Sequence, residues 1–140
     1  MTIAFPTVTD NRLGPWLDNA LDGVPHARTA VLGTMDGLVL ARSGAIPGDR
    51  AEPLAASVCG SVSLAVSQAT LMGDGPWIQS ITEFGEGYML ILAAGRNAFL
   101  VATAGRDVDM GVLSFALQTL ITRLGPELDS PSRTDTASAT

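Results

Sequence analysis

Lysine is absent from the sequence, and cysteine and histidine occur once each, as Cys59 and His26. Without lysine there is neither Schiff-base chemistry nor a phosphate-binding loop of the kind that ends in Lys-Ser/Thr. A single cysteine excludes an internal disulfide framework and a cysteine-based zinc site. A single histidine leaves little for metal binding or for acid–base catalysis near neutral pH. Charge is scarce as well, at 16% of residues, and 8 arginines against 14 acidic residues give a net charge of -6. An acidic chain without a basic cluster suits neither nucleic acid nor an anionic membrane, because phosphate neutralisation supplies most of that affinity. The most apolar region, Tyr88 to Ala104, is cut by Gly95-Arg96-Asn97. Neither half approaches the ~20 residues that a membrane-spanning helix needs. The N-terminus has no basic start followed by an apolar run, so it does not read as a signal peptide. These absences predict a cytoplasmic protein that neither inserts in a membrane nor binds nucleic acid, and they argue against an enzyme.

What remains is a hydrophobic chain: 140 residues, 46% of them hydrophobic, with 15 glycines and a mean hydropathy of +0.31. That is enough for one domain with a real core and too apolar for a disordered protein. The expected organisation is a flexible N-terminus over 1–10, a folded domain over 11–128, and a disordered tail over 129–140. The tail reads Asp-Ser-Pro-Ser-Arg-Thr-Asp-Thr-Ala-Ser-Ala-Thr, which has little to bury.

Hydrophobic spacing places a first helix over Arg12 to Leu21, with Trp16, Leu17, Ala20 and Leu21 on one face and Gly23 and Pro25 ending it. Two apolar runs follow, Ala27 to Thr34 and Leu38 to Ser43, separated by Met35-Asp36-Gly37. Asp-Gly between apolar runs predicts a β-hairpin with a tight primed turn. A long helix is expected over Asp49 to Met72, with Asp49 as N-cap and Pro53 in about the first turn. Its stripe is Leu54, Val58, Val62, Ala65, Ala69 and Met72. Three β-runs come next: Trp77 to Phe84, Tyr88 to Ala94 and Ala98 to Ala104. The last two are apolar on both faces, as central covered strands are. A final helix opens at Asp107-Val108-Asp109, carries Leu113, Leu117, Leu120 and Leu124 on its stripe, and is expected to stop at Gly125-Pro126. The order α-β-β-α-β-β-β-α defines an α+β fold with one five-stranded antiparallel sheet.

The long helix is unusual on its second face. Ser57, Cys59, Gly60, Ser61, Ser63 and Ser67 are small and uncharged, and no charge occurs from Ala55 to Leu71. A face meant for water would carry charges. Two covers are open: the chain's own segments, or a second copy of the chain. A chain this short has few segments to spare, which favours the second copy.

Chemistry-bearing residues do not converge. The Gly73/Gly75 and Gly85/Gly87 pairs lack the third glycine of a dinucleotide fingerprint. Cys59 has no base or cation near it in sequence, His26 follows Pro25 at the start of a strand, and Asp107 and Asp109 read as helix caps. Glu83 and Glu86 flank a hairpin tip and could pair with Arg96. No catalytic, cofactor-binding or metal-binding residue is expected.

In this order and at these spacings the chain resembles the roadblock family, the dynein-light-chain-like domains, and its bacterial members in particular. The resemblance runs from Trp16 to Gly125. It rests on the hairpin Ala30-Val31-Leu32-Gly33-Thr34-Met35-Asp36-Gly37-Leu38-Val39-Leu40-Ala41 and on the helix opening Asp49-Arg50-Ala51-Glu52 with Leu54-Ala55-Ala56. It rests also on Gln79-Ser80-Ile81-Thr82-Glu83-Phe84, Gly87-Tyr88-Met89-Leu90-Ile91 and Asp109-Met110-Gly111-Val112-Leu113. The resemblance implies a roadblock/profilin-like arrangement, with the long second helix on one sheet face and the terminal helices on the other. It further implies a homodimer, or a heterodimer with a paralogue, in which second helices pack together and third strands pair edge to edge. The candidate interface residues are then Ser57, Gly60, Ser61, Leu64, Gln68, Trp77, Gln79 and Ile81. The implied function is a noncatalytic, dimeric regulator or scaffold that binds a Ras-like small GTPase and biases its switch loops. Two alternatives stand beside it. A small-ligand sensor of the PAS or GAF type would need polar anchors inside the strands, and Tyr88 to Ala104 offers almost none. A purely structural dimerisation module would form the same dimer without nucleotide-dependent binding.

Overall fold

A computed structural model of the chain describes residues 11–129. The expected N-terminal segment 1–10 therefore lies outside the described residues, as does the expected tail apart from Asp129, which closes the last helix.

The elements are α1 (Gly14–Asp22), β1 (Ala27–Thr34), β2 (Val39–Arg42), α2 (Gly48–Met72), β3 (Gln79–Phe84), β4 (Gly87–Ala93), β5 (Ala98–Gly105) and α3 (Met110–Asp129). All strand pairs are antiparallel, and the sheet order is β2-β1-β5-β4-β3. The α+β architecture is the expected one. The last strand in sequence is the central one in space, which explains why β4 and β5 are apolar on both faces.

Two cores sandwich the sheet. On one face α1 and α3 pack Leu17, Leu21, Leu113, Leu117, Leu120 and Leu124 against Leu32, Leu90, Leu92 and Leu100. On the other, α2 packs Ala51, Ala55, Val58 and Val62 against Val31, Val39, Ile91, Phe99 and Val101. The long helix thus has one face to itself and the terminal helices share the other. Gly33 permits this packing: a Cβ there would stand 2.6 Å from the buried ring of Phe99, its register partner.

Several local expectations need correction. The β1–β2 connection is a three-residue loop, with Thr34 N–H bonded to the Leu38 carbonyl at 2.9 Å. Only Gly37 of the loop takes a positive φ, +88. That is a turn followed by one left-handed glycine, not a primed two-residue turn; further along the hairpin the register slips between Leu32 and Gly33, leaving Leu40 without a partner across the pair. The long helix starts at Gly48, with Pro47 as N-cap and no side-chain cap bond. Asp49 is therefore inside the first turn and Pro53 in the second, where it removes the bond to the Asp49 carbonyl. β3 begins at Gln79, two residues later than expected.

The final helix runs on through Gly125-Pro126 to Asp129. Packing holds it there: Leu128 lies against the α1/α3 core, and Glu127 forms an ion pair with Arg12 at 2.8 Å. Among the described residues Arg96 forms no ion pair with Glu83 or Glu86. The tip they flank is held instead by Arg28, which donates to the Glu86 carbonyl at 3.1 Å, and by Arg106, which donates to that of Gly85 at 2.6 Å.

The stripe on α2 is shorter than its periodicity suggested. A helix of 25 residues is about 37 Å long at ~1.5 Å per residue, whereas strands of 6 to 8 residues span about 20–27 Å. Burial ends at Val62, Ala65 and Ala69 are half-buried, and Met72 is 71% exposed. By length and apolarity α2 is the helix among the described residues that could cross a membrane, and 17% of its apolar window is buried; the sheet takes up the side carrying Ala51, Ala55, Val58 and Val62.

Candidate protein-interaction surface

Residues Ser57, Gly60, Ser61, Leu64 and Gln68 all lie exposed on α2, turned away from Ala55, Val58 and Val62 by the 3.6-residue period. Leu64 is 67% exposed and Leu71, on the same side, 84%. Nothing in the described chain covers this face. A Cβ added at Gly60 would meet no atom within 4 Å, so no neighbour in the chain requires a glycine here. What the glycine does leave is room for something outside the chain.

The second component is β3, an outermost strand of the sheet. Ala93 N–H bonds to the Ile78 carbonyl at 3.0 Å, and the register Gln79↔Leu92 through Phe84↔Gly87 is unbroken. Alternation of the antiparallel ladder then turns the backbone groups of Ile78, Ser80, Thr82 and Phe84 towards β4. Those of Gln79, Ile81 and Glu83 face the open edge. Among the described residues, three thus present N–H and C=O groups in a row that pair with no other strand.

The structure divides the candidate residues into two groups. The five on α2 share one face. Trp77 joins their side of the sheet: it packs against the α2 core, and its indole N–H donates to Ser80 Oγ at 2.9 Å. Side chains of Gln79 and Ile81 lie on the opposite side, because their partners Leu92 and Leu90 belong to the α1/α3 core. What these two offer the α2 side is edge backbone. Missing from the candidates are Leu71, Met72, Ile78 and Phe84, all more than half exposed. The signal for Phe84 was present in the alternation of β3, since it follows Ser80 and Thr82 on the α2 side.

The remaining chemical groups have structural partners. Cys59 donates its thiol to the Met35 carbonyl and ties α2 to the β1–β2 loop. Asp109 Oδ1 accepts the Val112 N–H at 3.1 Å, capping α3. His26 takes a positive φ of 71, and its carbonyl accepts the Gly105 N–H at 2.9 Å. Among the described residues no three His, Cys, Asp or Glu stand close enough together to hold a metal ion.

A helix pair on one face of a five-stranded antiparallel sheet and a long helix on the other is an architecture shared with profilins. Profilin IA of Acanthamoeba castellanii superposes with a TM-score of 0.51 at 15% identity, over 80% of this chain and 95% of its own. Within that class the match is narrower. The family model described as Roadblock/LC7 domain matches residues 16–104. A Roadblock/LC7 domain from Streptomyces avermitilis is 30% identical over 84% of this chain and 98% of its own, with a TM-score of 0.81. MglB of Myxococcus xanthus has the same fold, with a TM-score of 0.78 at 16% identity over 86% of this chain and 97% of its own. Among curated proteins none matches the sequence. The chain belongs to the Roadblock/LC7 family.

Proposed function

We propose that this Roadblock/LC7 chain is a noncatalytic regulator in a small-GTPase system, working in the cytoplasm as a symmetric dimer with itself or a paralogue. One observation carries the reading: the charge-free face of α2 and the unpaired edge of β3 are both open in the single chain. Packing α2 against its copy removes Leu64 and Leu71 from water. Pairing β3 with its copy satisfies the outward groups of Gln79, Ile81 and Glu83 and joins two sheets of five strands into one. Family membership supports the regulatory role, and the structural likeness to MglB is consistent with it. The sensor reading loses support from the sheet, whose α2 side is filled by Phe99, Val101 and Ile91.

Regulation by such a dimer needs no catalytic group of its own. A protein that binds one arrangement of the GTPase switch loops more tightly than the other shifts the equilibrium by that difference in affinity. The test is binding to the small GTPase encoded nearest to this chain, loaded with GDP or with a nonhydrolysable GTP analogue. Preference for one nucleotide state supports the regulator; equal binding, or none in either state, removes it and leaves the structural module.

A further inference from the structure

One way of pairing β3 with its copy uses the whole open edge. The outward backbone groups belong to Gln79, Ile81 and Glu83, because the residues between them bond to β4. In an antiparallel pair related by a two-fold axis, outward residues stand opposite outward residues. The axis can therefore fall at any residue from Gln79 to Glu83. Set at Ile81, it pairs all three: Gln79 with Glu83 of the copy, Ile81 with Ile81, and Glu83 with Gln79. Set at Ser80 or Thr82, it pairs two of them within the strand and sends the third past the strand's end. Set at Gln79 or Glu83, it pairs one.

The side chains favour the same axis. Gln79, Ile81 and Glu83 project to the α1/α3 side of the sheet, and Ile78, Ser80, Thr82 and Phe84 to the α2 side. With the axis at Ile81, the Glu83 carboxylate lies opposite a Gln79 carboxamide, whose N–H groups can donate to it. Ile81, 49% exposed, lies opposite its own copy. On the α2 side Phe84 comes opposite Ile78, and in the single chain these are 52% and 64% exposed. They form a pair without mutual backbone bonds, the kind that brings side chains closest, and an aromatic beside a β-branched residue is favourable there. Other axes lose these matches. One at Thr82 sets Glu83 against Ile81, and one at Glu83 sets two carboxylates face to face. One at Ser80 or Gln79 carries Phe84 beyond the partner strand.

We infer that β3 selects a second copy of this chain, rather than a paralogue, and fixes the pairing with Ile81 on the two-fold axis. Glu83 and Gln79 set the specificity, and Phe84 and Ile78 close over the pair on the α2 side. The strand is complementary to itself position by position, so no other sequence is needed to match it. The inference rests on the dimer proposed above and names its partner and register.

The test is disulfide trapping between copies of the full chain, beside its solution mass by light scattering. A Cys59→Ser background, checked for folding by circular dichroism, removes the native thiol. Outward residues paired across the axis stand about 5.5 Å apart between Cα atoms, within the ~4.4–6.8 Å that a disulfide spans. Ile81→Cys should therefore cross-link to itself under mild oxidation. Gln79→Cys and Glu83→Cys should each fail to cross-link with itself, because like positions lie about 14 Å apart at ~3.4 Å per residue. Mixed and allowed to exchange, these two should cross-link to one another. A two-chain mass with any other pattern, or with no cross-link, overturns the inference and leaves the dimer standing. A one-chain mass for the parent overturns both. A swap gives a second reading. Gln79→Glu sets glutamates opposite each other at two places and should weaken association several-fold, and adding Glu83→Gln should restore it. Weakening without restoration contradicts the Ile81 register.

Discussion

Asn11 closes one edge of the sheet by lying against Arg42 as a neighbouring strand would. Its Oδ1 accepts the Arg42 N–H at 2.8 Å, and its Nδ2 donates to the Arg42 carbonyl at 3.0 Å. The outward groups of edge strand β2 thus find a partner within the chain at that point. Gly14 leaves the space for it, since a Cβ there would fall 2.1 Å from Asn11 Nδ2. Among the described residues no comparable cover lies along β3. One edge is finished and the other is open, and the open one adjoins the uncharged helix face.

Asn11→Ala removes both bonds and returns the Arg42 groups to water. Two lost bonds at ~0.5–1.5 kcal/mol each should lower the melting temperature by several degrees, measured by calorimetry. The oligomeric state should not change.

Proline separates the two sides of β3. In Ile81→Pro the lost N–H is one that faces the open edge, so the β3–β4 ladder survives and self-association through this edge fails. In Thr82→Pro the lost N–H faces β4, so the hairpin itself is weakened. Circular dichroism with light scattering should show a folded, smaller species for the first variant and a loss of stability for the second.

Among the described residues Ser43 is the polar residue sealed in the core, with Oγ accepting the Ala30 N–H at 3.0 Å. Ser43→Ala leaves that buried donor without a partner. The expected cost is ~1–3 kcal/mol, read from urea unfolding as a lower midpoint with an unchanged slope.

Gly87 lies against β5, in register with Gly105. A Cβ there would sit 2.4 Å from the Ala104 carbonyl oxygen, a backbone atom that cannot rotate away. Gly87→Ala should therefore cost more stability than Gly60→Ala. Gly60 has open space around it and is a position where alanine favours the helix by ~1 kcal/mol. Thermal melts of the two variants, both taken in a Leu64→Glu background so that the α2 face contributes equally, should move in opposite directions.

Most of the fold was legible because its signals are local. Asp36-Gly37 between apolar runs, the leucines of α3 and the unbroken apolarity of β4 and β5 each answer to a single element's periodicity. The errors fall where tertiary packing overrides a local signal. Gly125-Pro126 reads as a stop, but Leu128 still has core to cover. Met72 continues a helical stripe, but the sheet beneath it has ended. The candidate surface was legible as an absence of charge on α2, whereas the side of the sheet taken by Gln79 and Ile81 depends on register with Leu92 and Leu90. No property of β3 alone carries that information.

The most direct test is the mass of Leu64→Glu beside that of the parent chain in solution. Leu64 is 67% exposed, so glutamate does no harm in a single chain and is costly only where that face meets its copy. The account predicts a folded variant at half the parental mass. A folded Leu64→Glu at the parental mass would contradict it.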